Sequence, residues 1–109
     1  MRELGADELM ALCASAQPPL LLDVREPWEA QLASIALDGV RSQLMPMGQV
    51  PARLGELDPT QPVVCYCHHG VRSLQVVAFL LRAGFDCVYN LAGGIDAWSL
   101  ATDPSVPRY

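Results

Sequence analysis

Hydrophobic and polar positions along the chain alternate between the spacing of buried strands and the spacing of amphipathic helices. Short apolar runs over residues 20–24 and 63–66 are typical of strands that are buried on both faces. Over residues 71–83 the apolar positions follow helical spacing, which predicts a helix that ends at Gly84. Strands that alternate with helices favour an α/β fold, with a mainly parallel β-sheet flanked by helices on both faces.

Weaker patterns complete the predicted order of elements. Pro27 stands in the first turn of a short predicted helix, where its missing N–H is tolerated. The chain shows no internal repeat and no low-complexity segment, so we expect a single domain over residues 1–109. The other predicted elements are helices over residues 6–16, 27–32, 49–57 and 95–100, and short strands over residues 40–44 and 87–89.

Charge and hydropathy exclude several kinds of partner. The 109 residues carry a formal net charge of −5, and all seven basic residues are arginine. An acidic chain of this kind is poorly suited to hold a nucleic-acid backbone. The apolar run over residues 76–81 is far shorter than a membrane span, and the first residues lack the pattern of a signal peptide. We therefore expect a cytoplasmic protein whose partners include neither nucleic acid nor membrane.

The four cysteines are Cys13, Cys65, Cys67 and Cys87. In a cytoplasmic protein we expect them to be reduced. A bridge between Cys65 and Cys67 would be strained, and a zinc site would need further ligands at suitable spacing, so we expect no metal. Cys65 lies inside a predicted strand and is expected in the core, with a role as resolving thiol for Cys67 as the alternative.

Cys67 stands where a buried strand meets the start of a helix. Unpaired N–H groups and the helix dipole form an anion site there, and the same field favours thiolate over thiol. Gly70 permits a tight backbone turn, Arg72 could offer a fork of donors to an oxyanion, and Ser73 could cap the helix or donate to a bound group. A buried, inert cysteine is the alternative. The combination of Cys, Gly and Arg in one turn favours a reactive cysteine.

Two further groups of polar residues lie near this turn in the predicted fold. His68 and His69 are expected to diverge and to line the rim of the turn, where histidine supplies partial positive charge, rather than to bind a metal. Asp23 and Arg25 end the first buried strand, where a carboxylate must be paired. We expect this pair to brace neighbouring loops, including the Cys67 loop, rather than to act directly in catalysis. Trp28 and Trp98 are expected to be packing residues.

Taken in order and spacing, several segments resemble the rhodanese-like domains in their single-domain form. Residues 22–29 resemble the family's first signature, residues 67–73 its active-site loop, and residues 84–85 and 88–98 its C-terminal signature. The resemblance implies the family fold, a parallel sheet flanked by helices. It also implies that no cofactor is needed, because the cysteine itself carries the sulfur.

The resemblance further implies the chemistry. The Cys67 thiolate would take sulfur from a small donor, thiosulfate or a persulfide, and pass it to a thiol, to cyanide or to a protein acceptor. The backbone N–H groups of the loop would bind the substrate and stabilise the persulfide anion. The substrate-binding residues implied in this way are His68, His69, Gly70, Val71, Arg72 and Ser73.

Loop length and two departures from the family pattern refine this hypothesis. The six residues from Cys67 to Arg72 match the family's sulfurtransferases, whereas its phosphatases have one more, so a phosphatase or arsenate reductase is disfavoured. Residues 33–35 replace a His-Ile pair that is frequent in rhodaneses. The loop has no lysine, so His69 or Arg72 would have to hold thiosulfate. The remaining alternative is a module that accepts sulfur or docks onto a partner with little free turnover.

Overall fold

One five-stranded sheet organises the computed structural model, which describes residues 2–101, 103 and 105–107. Its strands lie in the order β1-β5-β4-β2-β3, and every neighbouring pair is parallel. The strands are β1 (Arg2–Leu4), β2 (Leu20–Asp23), β3 (Ser42–Leu44), β4 (Val63–Tyr66) and β5 (Val88–Leu91). The helices are α1 (Ala6–Cys13), α2 (Pro27–Leu32), α3 (Val71–Arg82) and α4 (Gly94–Ala101).

Two apolar clusters cover the two faces of the sheet. On one face Leu22 of β2 belongs to the same cluster as Leu80 of α3. On the other face Leu21 belongs to a cluster with Leu9 of α1 and Trp98 of α4. Successive side chains of a strand point to opposite faces, so a strand buried on both needs an uninterrupted apolar run. The predicted α/β fold, a parallel sheet with helices on both faces, is confirmed.

The central strands bring the polar residues of interest together. β2 and β4 are neighbours, and Asp23 pairs with Tyr66 at their carboxyl ends. The N–H of Val24 donates to the carbonyl of Tyr66 at 3.1 Å, so the two chains leave the sheet side by side. The segments that follow, which contain Arg25 and Cys67, therefore start at one edge, where ligands of parallel sheets usually bind.

The structure corrects the prediction in two places. The helix predicted over residues 49–57 is wrong: the segment forms two 3₁₀ turns, Met47–Gln49 and Leu54–Glu56. Pro51 lacks an N–H and Gly55 is a poor helix former, so an α-helix gains little there. Strand β1 was not predicted, because its three residues include two charged ones and pair only with β5. The other predicted boundaries agree with the structure within three residues.

The helices of the described residues are short. The longest is α3, with 12 residues. Within the part of the chain that the structure describes, no helix has the length and apolar character needed to cross a bilayer.

Candidate active site

Cys67 lies in the turn that joins β4 to α3, with its side chain 1% exposed. The backbone N–H of Gly70 donates to its sulfur at 3.1 Å. The N–H and the hydroxyl of Ser73 both lie 3.4 Å from the same sulfur. Donors that converge on one atom stabilise negative charge on it, so the turn is built to hold an anionic sulfur.

Two opposing influences act on the ionisation of Cys67. Burial has the largest individual effect. It raises the pKa of Cys67, because the thiolate loses solvation. Hydrogen bonds from the Ser73 side chain, and then from the backbone of Ser73, Gly70 and Arg72, stabilise the thiolate and lower the pKa. Their sum prevails, so the pKa of Cys67 lies below that of an ordinary thiol, the direction that a nucleophilic cysteine requires.

The first turn of α4 holds the Cys67 turn from behind. The N–H of Ile95 donates to the carbonyl of Cys67 at 2.9 Å, and that of Asp96 donates to the carbonyl of His68 at 3.2 Å. A side chain on Gly94, which has a φ of +63°, would overlap both of these carbonyl oxygens. The close approach therefore requires glycine.

Asn90 of β5 anchors the turn from the neighbouring strand. Its side-chain N–H donates to the carbonyl of Gly70 at 3.1 Å, and its side-chain oxygen accepts from the hydroxyl of Ser73. The reverse orientation of the amide would set oxygen against the Gly70 carbonyl, so the contacts fix it. Sequence reasoning missed Asn90. The signal that could have found it is a buried amide in an apolar strand, which must have partners nearby.

Arg72 makes a bidentate ion pair with Glu29 of α2. The distances are 2.6 Å from Nη1 to Oε1 and 2.8 Å from Nη2 to Oε2. Glu29 is buried, and Arg72 is half-buried. The guanidinium fork that the sequence suggested for an oxyanion is thus engaged by a carboxylate of the protein. Glu29 was part of the first signature, but sequence reasoning gave it no role.

Asp23 and Arg25 form a second, fully buried ion pair. Arg25 donates to the two carboxylate oxygens of Asp23 at 2.8 and 2.7 Å, and to the carbonyl of Ala33 at 2.6 Å. Its guanidinium lies 5.3 Å from the ring centre of Tyr66, whose hydroxyl donates to Asp23 at 3.3 Å. Burial, and then the charge of Asp23, raise the pKa of Tyr66 to about 12.

The contacts of this pair show which loops it braces. Besides Ala33, which follows the last residue of α2, Arg25 donates to the carbonyl of Glu29 within the helix at 3.4 Å, so the pair holds α2 beside β2. Through Glu29, which also holds Arg72, the hydrogen bonds of this pair reach the Cys67 turn.

The two histidines lie against one another on the rim. Their rings are stacked with centroids 4.0 Å apart, so the expected divergence is wrong. His69 is 63% exposed at its side chain, with Nδ1 3.8 Å from a carboxylate oxygen of Asp96. Burial, and then the charge of His69, lower the pKa of His68. Among residues 2–101, 103 and 105–107, no group of three or more His, Cys, Asp or Glu side chains could hold a metal ion.

Cys65 and Trp98 are buried, whereas Trp28 is exposed. Cys65 is buried in the core as expected, and burial raises the pKa of its thiol. Trp98 is a packing residue in the second cluster. Trp28 is 60% exposed, so its expected packing role is wrong. It stands in the first turn of α2 and belongs to neither of the two clusters. Val71 of the turn is also exposed.

Comparison with known proteins yields a consistent set of relatives. A model of the rhodanese-like domain matches residues 5–101. The chain is 35% identical over 99 residues to a sulfurtransferase of Allochromatium vinosum, which covers 91% of this chain and 89% of that protein. It is 42% identical over 93 residues to the rhodanese-like/PpiC domain-containing protein 12, chloroplastic, of Arabidopsis thaliana. That match covers 82% of this chain, and the chain spans only 30% of the plant protein.

Solved structures show the same similarity. The crystal structure of a rhodanese-related protein from Thermoplasma volcanium matches with a TM-score of 0.83 and 28% sequence identity, over 100% of both chains. A rhodanese-like domain protein from Staphylococcus aureus matches with a TM-score of 0.82 and 28% identity, over 100% of this chain and 99% of the other.

Proposed function

The chain belongs to the rhodanese-like domain family, and from that premise we propose that it is a sulfurtransferase that carries sulfur as a persulfide on Cys67. The observation that carries this proposal is the convergence of three hydrogen-bond donors on the Cys67 sulfur. The lowered pKa of the same thiol supplies the nucleophile. Sulfur-transferring relatives support the reaction class.

In the first half-reaction the Cys67 thiolate attacks the outer sulfur of the donor. With thiosulfate, the bond between the two donor sulfurs breaks, sulfite leaves with the electron pair, and the Cys67 persulfide anion remains. With a protonated persulfide R–S–SH, the sulfur–sulfur bond breaks, the thiolate RS⁻ leaves, and the proton stays on the new Cys67 persulfide. The N–H groups of Gly70 and Ser73 offset the charge on the transferred sulfur.

In the second half-reaction a thiophilic acceptor attacks the outer sulfur of the persulfide. Cyanide takes that sulfur as thiocyanate and returns the Cys67 thiolate. A thiol, after loss of its proton, takes it as a new persulfide and also returns the thiolate. The two half-reactions share the one covalent intermediate, so we expect ping-pong kinetics.

Intact-mass spectrometry after incubation with thiosulfate, and separately with a small persulfide, tests this function. We expect a gain of roughly 32 Da, one sulfur atom, on the nucleophilic cysteine. Peptide mapping should place it on Cys67, and Cys67→Ala should abolish it. Cys13→Ala, which removes another free cysteine, should leave it intact. Sulfur on Cys65 instead would overturn the assignment.

Turnover then separates the enzyme from a sulfur-accepting or docking module. Thiocyanate formation from cyanide that is lost in Cys67→Ala supports the enzyme. A Cys67 persulfide that forms but is never passed to cyanide or a thiol would favour the module.

A further inference from the structure

Two arginines that follow the carboxyl ends of β4 and β2, Arg72 and Arg25, are both paired with carboxylates. Arg72, in the first turn of α3, is held by both oxygens of Glu29. Arg25, at the adjacent end of β2, is held by both oxygens of Asp23. Neither guanidinium therefore contributes a full positive charge to a molecule approaching the sulfur.

Among the described residues of the rim, the other groups that can carry positive charge are the two histidines. Asp96 lies 3.8 Å from His69 and introduces a further carboxylate. His68 is stacked on His69, and burial disfavours its charged form. No lysine exists anywhere in the chain. The positive potential at the sulfur thus comes mainly from the backbone N–H groups of Gly70, Arg72 and Ser73 and from the Ser73 hydroxyl, which is shared with Asn90.

Such a site treats two classes of sulfur donor differently. Thiosulfate is a dianion, and it must approach a thiolate within a turn whose arginine is neutralised. A persulfide reacts with the thiolate in its protonated form, R–S–SH, and therefore brings less charge to the reacting atoms than the thiosulfate dianion does. With a persulfide donor, the N–H groups have to stabilise the charge of one sulfur only. The few donors that point at the Cys67 sulfur are sufficient for that.

We propose that Glu29 determines the donor class of this site, by neutralising Arg72 so that a persulfide carried on a thiol is accepted in preference to thiosulfate. The inference rests on the proposed function, because it concerns the donor of the Cys67 reaction. Glu29 acts through Arg72 and is a positioning residue. Its burial and its two short bonds to Arg72 keep the pair closed without a substrate.

The test compares wild type with Glu29→Gln for two donors, thiosulfate and cysteine persulfide. Glutamine keeps the size of the side chain and one acceptor for Arg72, but it removes the neutralising charge. For thiosulfate we expect KM to fall on the order of tenfold, as an uncompensated charge next to a dianion permits. For cysteine persulfide KM should change little, so the ratio of the two kcat/KM values moves toward thiosulfate.

A matched control separates the contact from net charge. Glu26→Gln removes the same charge at an exposed position, the residue immediately before the same helix. It should leave the donor preference of wild type in place. If Glu26→Gln and Glu29→Gln shift the preference equally, the effect is one of overall charge and the proposal fails.

The salt dependence of KM in wild type tests the proposal even if the Glu29→Gln variant does not fold. With Arg72 neutralised, the KM for thiosulfate should rise only slightly between low and high salt, because no free cation is screened. A steep rise would overturn the proposal, as would a wild-type kcat/KM that is higher for thiosulfate than for cysteine persulfide. Failure of both donors to modify Cys67 would instead refute the sulfurtransferase itself.

The source of the persulfide is distinguished by a second donor of the same chemistry. A persulfidated cysteine within a peptide should outperform free cysteine persulfide if the natural donor is a protein, and should not if it is a small thiol. In both cases, the proposed role of Glu29 requires that each persulfide donor has a higher kcat/KM than thiosulfate in wild type. A lower value for either donor would contradict it.

Discussion

The backbone N–H of Ile95 donates to the carbonyl of Cys67 at 2.9 Å, which ties the reactive turn to the start of α4. With the neighbouring bond from Asp96 to the carbonyl of His68, it turns two carbonyl oxygens toward α4. The N–H groups of the same turn are left facing the sulfur. An anion-binding turn needs its N–H groups on the side of the anion and its carbonyl oxygens on the other side, because a carbonyl oxygen facing the sulfur would repel its charge.

Gly94→Ala should disrupt this arrangement. The added methyl would overlap the carbonyl oxygens of Cys67 and His68, and the backbone conformation itself is unfavourable for alanine. We expect the free energy of unfolding to fall by about 3 kcal/mol or more, since strain and a steric clash add. Urea denaturation measures the loss, and persulfide formation on Cys67 should slow in parallel.

Gly39→Ala is the matched control for backbone strain. Gly39 also has a positive φ, +76°, but a methyl group there would meet nothing within 4 Å. Gly39→Ala should lower the free energy of unfolding by only about 1 kcal/mol, because the unfavourable backbone conformation is the one effect at this position. Equal losses in the two variants would mean that the approach of α4 to the turn is not what makes Gly94 necessary.

The parts of this fold that could be predicted from the sequence are those whose burial leaves a local pattern. Strands β2 and β4 are continuous apolar runs, and α3 has helical spacing, so each was predicted within one residue. The Cys67 turn was also predictable, because strand, glycine and helix start lie within one segment. Strand β1 was missed, because three residues with two charges acquire their structure only by pairing with β5.

The partners of the turn were not predictable for a related reason. Asn90 reaches Ser73 and Gly70 only because β5 pairs with β4 in a register that sets Asn90 beside Cys65. Glu29 reaches Arg72 because α2 lies next to β2, where Arg25 donates to the carbonyls of Glu29 and Ala33. These contacts depend on how segments distant in sequence pack together, and this packing cannot be read from the local pattern of a single sequence.

The lowered pKa of Cys67 predicts a distinct pH dependence of alkylation. A lower pKa means that the thiolate persists to lower pH, so the rate with iodoacetamide should reach half its maximum below the pH of about 8.5 of an ordinary thiol. In denaturing urea the midpoint should return to the ordinary value. A folded midpoint at or above the unfolded one would contradict the convergence of donors on the sulfur.

Ser73→Ala should move that alkylation midpoint upward. The Ser73 hydroxyl is the first among the hydrogen bonds that favour the thiolate, and burial, which opposes it, would remain. Ser99→Ala removes another buried hydroxyl, one that donates to the carbonyl of Val106 and does not contact the turn. We expect no shift in that control. A shift of similar size in both variants would point to general loosening of the fold.

Arg25→Met should destabilise the protein strongly. It leaves the Asp23 carboxylate buried without its partner and removes the donor to the carbonyl of Ala33. Breaking a buried pair in this way costs about 3–5 kcal/mol. Arg53→Met, which breaks an exposed pair with Glu56, should barely change the urea midpoint. Restoration of most of the loss by Asp23→Leu in the Arg25→Met background would confirm that the unpaired carboxylate is the cause.

Asn90→Ala should separate the anchoring of the turn from the stabilisation of its charge. The variant removes the donor to the Gly70 carbonyl and the acceptor of the Ser73 hydroxyl, so the free energy of unfolding should fall by about 1–3 kcal/mol. A serine hydroxyl has one hydrogen, which in wild type is shared between Asn90 and the Cys67 sulfur. Without Asn90 that hydrogen has only the sulfur to donate to.

The alkylation midpoint of Cys67 in Asn90→Ala should therefore stay low or fall further, although the protein is less stable. Ser73→Ala changes the same pair from the other side and should raise the midpoint, so the two variants are expected to differ in sign. If Asn90→Ala raised the midpoint as Ser73→Ala does, Asn90 would be needed to aim the hydroxyl at the sulfur, and competition for the hydrogen would be ruled out.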